Sequence, residues 1–492
     1  MVTSIKLIEA AQLIAQSAQN GEHGFVADSG RDAAKTGNNI VRVKGHLQSM
    51  RDLGQIMFLI VRDASATIQV VVTEASLQEQ LRLLTNETPC YFEGYLQAQQ
   101  VKKRKETKES ELEAKQAEAK ETAERQPAEY IPPTSGVELV LTSVEALASG
   151  LHVPPIEIGK QTKIDNLSAS TLLDYRPLTL RNEKVRAIFK IEAEILKAFR
   201  HFLNGENFIE IHSPKIVATG TEGGAQLFKI DYFGRTAYLA QSPQFYKQIM
   251  VGAFERVYEV GPVYRAEEHD TTRHLNEYIS LDIEMGFIES EQDVIAMQIG
   301  LLRHIMEHLK ENCQRELAMY QAVVPTIGST LPQIRLEDAQ QLLASKYGWK
   351  SESVDLDGEG EKLLTSHFEK EEGIDMVYVT DYPHAIRPFY AMPGEPLRSG
   401  EAGSKSFDLL FRGLEITTGG QRIHEYEKLK QSIASRGLNP EDFNDYLLCF
   451  KHGMPPHGGL AIGLERLAKQ LLGLPSVKQT ALFPRDINRI TP

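Results

Sequence analysis

Five separated segments of this 492-residue chain gather arginines, a lysine and carboxylates beside glycines and short apolar runs. The loop ATGTEGGAQLF holds one acid, Glu222. AQSPQFYKQIM carries Gln244 and Lys247. YRAEEHDTTRHLNE carries Arg265, Glu267, Arg273 and His274, and FDLLFRGLEITTGGQRIHE carries Asp408, Glu415, Thr418 and Arg422. GGLAIGLERL places Arg466 at the start of a helix. Planar guanidinium forks bind phosphate bidentately. Acids beside phosphates suit Mg²⁺, which takes oxygen ligands and shares them with phosphates. The set therefore predicts a nucleoside triphosphate site with a metal. No GxxxxGK[ST] occurs and no GxGxxG opens a helix after a strand, which excludes a P-loop and a dinucleotide fold. Taken alone, Glu222 reads as a solvated loop acid; the assignment rests on the set.

These side chains need a scaffold. From about Asn182, EKVRAIFKIEAEILKAFRHFLNGE has helical periodicity and stops at Asn204-Gly205. Strand-like runs follow with short turns: FIEIHSPKI, FKIDYFG, TAYLAQS, RVYEVGPVY and YISLDIEMGF. Their adjacency predicts an antiparallel sheet rather than βαβ units. In GPVYRAEEHDTTRHLNEY, Arg265 ends a strand and Arg273 and His274 are expected on the next one. A helix-rich block covers about 288–375. Strands return in MVYVTDYP, FYAMP and SFDLLFRGLEITTGG, before the helix in HGGLAIGLERLAKQLLGL. Upstream, alternating short strands between Asn38 and residue 145, with turn signals RDLG and RDAS, suit a small closed barrel. Within it, residues 102–133 form a Lys/Glu/Ala-rich insertion without an apolar face, expected as a solvated helix or loop; its KKRK (Lys102–Lys105) is the part able to touch nucleic acid. Residues 1–37 are expected as a short amphipathic helix and a mobile extension, and 146–180 as a linker or hinge.

The net charge of −13 argues against broad, non-specific nucleic-acid binding but leaves room for a local basic surface. No run of about 18 apolar residues exists, so no membrane partner is expected. Nor does the N-terminus have the pattern of a signal peptide. Cys90, Cys313 and Cys449 fit neither a disulfide framework nor a zinc site, which suits the cytoplasm.

From about residue 38 to the terminal LFPRDINRITP, the chain resembles a class II aminoacyl-tRNA synthetase (subclass IIb), of the aspartyl family in its archaeal/eukaryotic form. NGENFIEIHSPKI, with Pro214, resembles motif 1, a dimer-interface element. VYRAEEHDTTRHLNEY resembles motif 2 and GLAIGLERL motif 3, with TEGGA, QSPQFYKQ and GGQR between them. The resemblance implies an α+β fold: an N-terminal OB-fold β-barrel (38–145) followed by a class II synthetase catalytic domain (181–492) built on an antiparallel β-sheet flanked by helices.

It also implies roles. Arg265 would hold the ATP α-phosphate and the amino-acid carboxylate, and Arg265 and Arg466 would be the catalytic cations. Glu267 would read adenine, Arg273 and His274 would reach the outer phosphates, and Arg466 would stack on adenine. Leu275, Glu415, Gly463, Leu464 and Glu465 complete the ATP set. Asp408, Glu415 and Thr418 would ligate Mg²⁺. Glu222, Gln244, Lys247, Arg265, Thr418 and Arg422 would bind L-aspartate, with Lys247 and Arg422 on its side chain. Two cations facing that carboxylate would reject asparagine. Phe58 would stack an anticodon base of tRNA(Asp), with Arg51, Gln69, Arg62 and His46 nearby. Core packing is the plainer reading of Phe58. A homodimer is implied; a DNA partner is not.

The sequence departs from the archaeal pattern in TTGGQR, where serines are expected, and in GHLQ, where His46 replaces a tryptophan. His46 and Pro89 resemble enzymes that charge only aspartate tRNA. Three other readings compete: an asparaginyl enzyme, opposed by Lys247; a tRNA-independent adenylate-forming paralogue, opposed by the barrel; and an RNA-binding protein with a dead site, opposed by the full set of charges.

Overall fold

The computed structural model describes residues 3–10, 12–13, 40–98, 136–220, 226–351 and 353–492. The charged insertion with its KKRK, most of the N-terminal extension and Glu222 lie outside them. The chain divides into two compact units, residues 1–186 and 187–492. Among the described residues no helix is long and apolar enough to cross a membrane.

Six strands build the first unit: β1 (Thr3–Ile5), β2 (Val41–Asp52), β3 (Met57–Arg62), β4 (Thr67–Val72), β5 (Pro89–Ala98) and β6 (Val137–Ala146). They run in the order β1-β2-β3-β4-β6-β5, and β2 pairs with β5 to close a five-stranded barrel. Period-2 alternation puts Met57, Leu59, Val61, Ile68, Val70 and Val72 inside. The turns follow from their aspartates: Asp52 accepts from Gly54 N (2.8 Å) and Asp63 from Ala66 N (2.8 Å), side chains standing in for a backbone turn. The expected N-terminal helix starts at Leu7, and the stretch expected as a mobile tail lies outside the described residues. Thr3–Ile5 adds a parallel strand to β2, and Leu7 and Ala10 enter the barrel core. The expected linker holds three short helices, Gln161–Asp165, Ala169–Asp174 and Arg176–Thr179.

The second unit is organised by eight strands: β7 (Ile209–Glu210), β8 (Arg256–Tyr264), β9 (Glu277–Gly286), β10 (Gln333–Arg335), β11 (Met376–Thr380), β12 (Ser406–Phe411), β13 (Leu414–Arg422) and β14 (His457–Gly463). Their order is β10-β11-β12-β13-β14-β9-β8-β7. Every pairing from β11 to β8 is antiparallel, and only the edge pairs β7–β8 and β10–β11 are parallel.

Strand parity decides what each face carries. Leu281, Ile283, Leu409, Phe407, Leu460 and Ile462 point to one face and pack on the helices Glu183–Gly205 and Glu291–Asn312. Asp282, Ala461, Thr418 and Asp408 are successive cross-strand partners on the other face. A one-residue slip would exchange the two sets, and each buried Leu or Ile is worth roughly 1.5–3 kcal/mol against it. FKIDYFG and TAYLAQS do not join this sheet. Lys229–Tyr232 and Arg235–Leu239 form a three-stranded sheet with Ile216–Val217. Their side chains are mostly exposed, so they have no apolar face to bury in the larger sheet.

Candidate active site

A cleft of about 620 Å³ of free space opens on the polar face of this sheet. Arg265, Glu267, Arg273, His274, Glu415 and Arg466 line it, with Leu275, Thr418 and Gly463. Arg265 directly follows β8. Its N–H donates to Asn276 O (2.9 Å) and its guanidinium lies 5.7 Å from the Tyr278 ring centroid, so the base of the hairpin fixes it. Arg273 and His274 sit in the loop, not on the following strand, because β9 begins only at Glu277. Chain-terminal residues pin that loop. Asp270 accepts from Lys478 and from Asn488 Nδ2 (2.9 Å), and Val477 N donates to Thr272 O (3.1 Å). Burial lowers the pKa of His274, and the cations Arg466 and Arg273 push the same way against Glu267, so the imidazole is neutral near pH 7.

Glu415 owes its position to an irregularity. Pairing between β12 and β13 shifts after Leu409↔Thr417, so that Leu410 meets Glu415 and Ile416 is the extra residue. This bulge turns Glu415 onto the face of Asp408 and Thr418. Its carboxylate accepts from Thr418 Oγ1 (2.8 Å), and Arg466 Nη1 lies 3.5 Å from it while donating to Glu415 O (2.9 Å). Partial burial would raise the pKa of Glu415, but Arg466 and the Thr418 hydroxyl outweigh it and keep the carboxylate ionised.

On the same face, outside the cleft lining, lies a buried set of charges that includes Lys247 and Arg422. Ser280 lines the cleft and donates to Asp282, which accepts from Lys247 Nζ (3.0 Å). Lys247 also lies 3.2 Å from Glu284, whose other oxygen accepts from Arg422 Nε (3.2 Å). Burial would drive the Glu284 carboxyl upward; Arg422 first, then Lys247, reverse this and hold it ionised. Asp282 and Glu284 were missed in the sequence. Their signal was present, two acids at period 2 within the otherwise apolar LDIEMG. Gln244 is 3% exposed, and its Nε2 has no hydrogen-bond partner among the described residues. It is a buried donor without an acceptor, which a ligand can supply. His457 closes this end. It contacts Gln248 (2.8 Å) and Pro455 O (2.9 Å), and burial pulls its pKa down to about 4.

For a metal, Glu415 and Thr418 offer hard oxygen donors at the cleft. Asp408 is held bidentately by Arg387 (2.7 and 3.2 Å) and keeps further lone pairs. Burial nonetheless raises its pKa. Among the described residues no group of three or more His, Cys, Asp or Glu could hold a metal. Glu415 and Thr418 would supply only part of an octahedral oxygen shell, and phosphate oxygens would have to supply the rest.

Two residues of the expected ATP set also serve the fold. Leu464 is 3% exposed and packs in the main core, because the first turn of its helix faces inward. Glu465 lines the cleft, but its carboxylate accepts from Ile279 N (3.0 and 3.1 Å) and holds β9 instead; burial raises its pKa to about 7. On the barrel, Phe58 is not core. It points outward between Arg51 and Val71, in a row that continues through Val140 to Tyr95. Gln69 lies in the adjacent row and donates to Glu138 (2.9 Å). Arg62 does not border Phe58; it is 5% exposed and paired with Glu87 (2.7 Å). His46 sits between Arg62 and Pro89 as their cross-strand partner, roughly 17 Å along β2 from Arg51 at ~3.4 Å per residue.

Residues 168–487 match the family described as tRNA synthetases class II (D, K and N), and residues 41–118 match the OB-fold nucleic acid binding domain. The chain is 45% identical to an aspartate–tRNA(Asp/Asn) ligase of Deinococcus radiodurans, covering 92% of this chain and 95% of that one. It is 36% identical to an aspartate–tRNA(Asp) ligase of Pyrococcus abyssi, covering 92% and 96%. Among solved structures it is similar to asparaginyl-tRNA synthetase from Pyrococcus horikoshii complexed with asparaginyl-adenylate. That likeness has a TM-score of 0.77 and 27% identity, and covers 92% of this chain and 96% of that one.

Proposed function

The chain belongs to the class II tRNA synthetases of the D, K and N group, and on that premise we propose that it is an aspartate–tRNA ligase. It activates L-aspartate with ATP to aspartyl-adenylate and transfers the aspartyl group to the 3′ end of tRNA(Asp). One observation carries the reading. One face of the sheet carries both an open cleft lined by Arg265, Arg273 and Arg466 and a buried set of paired charges.

The aspartate α-carboxylate attacks the α-phosphorus and pyrophosphate leaves; a ribose hydroxyl of the tRNA then attacks the aspartyl carbonyl and AMP leaves. The protein positions the reactants and neutralises charge, with no side-chain nucleophile. Arg265 binds the α-phosphate and the reacting carboxylate. Arg273 and His274 face the outer phosphates, Glu267 and Arg466 the adenine. Mg²⁺, held by Glu415, Thr418 and Asp408 with the triphosphate, would neutralise phosphate charge. Gln244, Lys247 and Arg422 meet the aspartate. Lys247 already donates to Asp282, to Ile283 O and to Leu460 O, so a substrate carboxylate would have to take over one of these bonds. Asparagine offers no charge in exchange for its desolvation. Phe58 with Arg51 and Gln69 forms the anticodon platform. The enzyme acts in the cytoplasm as a homodimer through the segment around Pro214.

Aspartate-dependent exchange of pyrophosphate into ATP tests this; no exchange at saturating aspartate and Mg²⁺ would overturn it. The Deinococcus and Thermus thermophilus relatives, at 45% and 43% identity, are both named for tRNA(Asp/Asn), which favours a second reading in which tRNA(Asn) is also charged. The His46–Pro89 pair favours tRNA(Asp) alone. Charging the two purified tRNAs side by side decides between them.

A further inference from the structure

The charged helix Gly358–Glu372 belongs to none of the motifs, yet it touches the cleft residue Arg273. Glu361 from its first turn is 9% exposed. One of its oxygens pairs with Arg273 Nη2 and also accepts from Glu415 N (3.1 Å). A single carboxylate thus ties the loop that carries Arg273 to the strand that carries Glu415, 88 and 54 residues away. The helix start is shaped for the same guanidinium. A Cβ on Gly358 would lie 2.1 Å from Arg273 Nη1, so a larger residue there would displace it. The helix itself is fixed from behind. Asp357 caps it by accepting from Gly360 N (2.8 Å), and Trp349 Nε1 donates to Asp357 (3.1 Å). A long arginine on a loop otherwise samples many rotamers, so a cradle of this kind converts a mobile cation into a placed one.

We infer that Glu361 and Gly358 are positioning residues for ATP: they hold Arg273 where the outer phosphates of the triphosphate arrive. This rests on the ATP reading of the cleft. Neither residue touches the substrate in this scheme. The guanidinium keeps further N–H donors for phosphate while Glu361 accepts one. Glu361 acts on the phosphates only through Arg273.

The test measures KM for ATP, KM for aspartate and kcat in pyrophosphate exchange with the full chain. Arg273→Ala should raise KM for ATP by about tenfold or more, the loss of a charge-assisted contact. Glu361→Ala should raise KM for ATP by a similar factor, about tenfold, with KM for aspartate unchanged, and Glu361→Gln should recover most of it because the amide oxygen still accepts. Gly358→Ala should raise KM for ATP by about threefold or more while improving helix propensity, so lost folding cannot mimic the effect. In the double variant Glu361→Ala/Arg273→Ala, KM for ATP should match that of Arg273→Ala alone. Additive effects, a fall in KM for ATP in Glu361→Ala, or an unchanged KM in Gly358→Ala would overturn the inference and leave the ATP reading standing. If Arg273→Ala leaves KM for ATP unchanged, its premise fails and the inference fails with it.

Discussion

At the buried end of the polar sheet face the side chains of Lys247, Asp282 and Glu284 are at most 2% exposed, and Lys247 pairs with both acids. At the open end Glu415 and Arg466 keep 34% and 24% exposure and stand 3.5 Å apart. Both ends hold acids against bases, but water treats them differently. Charges without water must be paired before the ligand arrives, and that pairing fixes their geometry. Charges that keep water can exchange it for phosphate when the ligand binds. Selectivity for a small side chain therefore belongs to the first environment, and capture of a large polyanion to the second.

The largest expected effect tests the pairing. Lys247→Ala leaves Asp282 and Glu284 as buried carboxylates short of a cation and should cost about 3–5 kcal/mol of unfolding free energy. Denaturant melting measures it, and a loss below about 1 kcal/mol would mean that this end is wetter than the structure shows. Arg265→Gln should do the reverse. Pyrophosphate exchange should fall by about 10²–10³-fold, as for removal of one preorganised transition-state donor. Stability should stay within about 0.5 kcal/mol, the usual range for partly exposed positions. A large stability loss would erase the contrast between the ends.

Acid sharpens it further. His457 has a folded pKa of about 4 and an unfolded pKa near 6.5. The unfolded chain therefore binds the extra proton between these values. The stabilisation is complete above pH 6.5 and is lost as pH falls toward 4, about 2 kcal/mol of it between pH 7 and 5. Denaturant curves of the wild type and His457→Asn at both pH values isolate this contribution, and parallel pH dependences in the two would refute it. The smallest effect is screening. Raising salt from about 0.05 to 0.3 M should increase KM for ATP by about two- to threefold and KM for aspartate by less, since buried pairs are screened little. Equal changes would place both substrates in similar environments.

Much of this was legible in the chain. The barrel strands declared themselves through alternation and through aspartate-led turns, and of the charged residues Arg265, Glu267, Arg273, His274, Glu415 and Arg466 meet in one cleft. The parity of YISLDIEMG held the whole logic of the site, with Leu281 and Ile283 for the core and Asp282 and Glu284 for the buried end. It was passed over because acids in a strand look like surface residues until a helix covers them. The three-stranded sheet of Lys229–Leu239 and the strand at Thr3–Ile5 were hidden for another reason: pairing partners are not a local property.

The sequence by itself determined which residue types exist to bind a triphosphate and an acidic side chain, because that choice is a matter of side-chain chemistry. Tertiary structure decided which of them meet. Leu464 and Glu465 directly precede Arg466 in the same motif, yet Leu464 fills the core while the Glu465 carboxylate holds a strand at the cleft wall, since a helix turns about 100° per residue. Glu361, far from every motif, reaches Arg273 only because the helix Gly358–Glu372 folds beside the sheet. Distances along the chain carry no record of that approach.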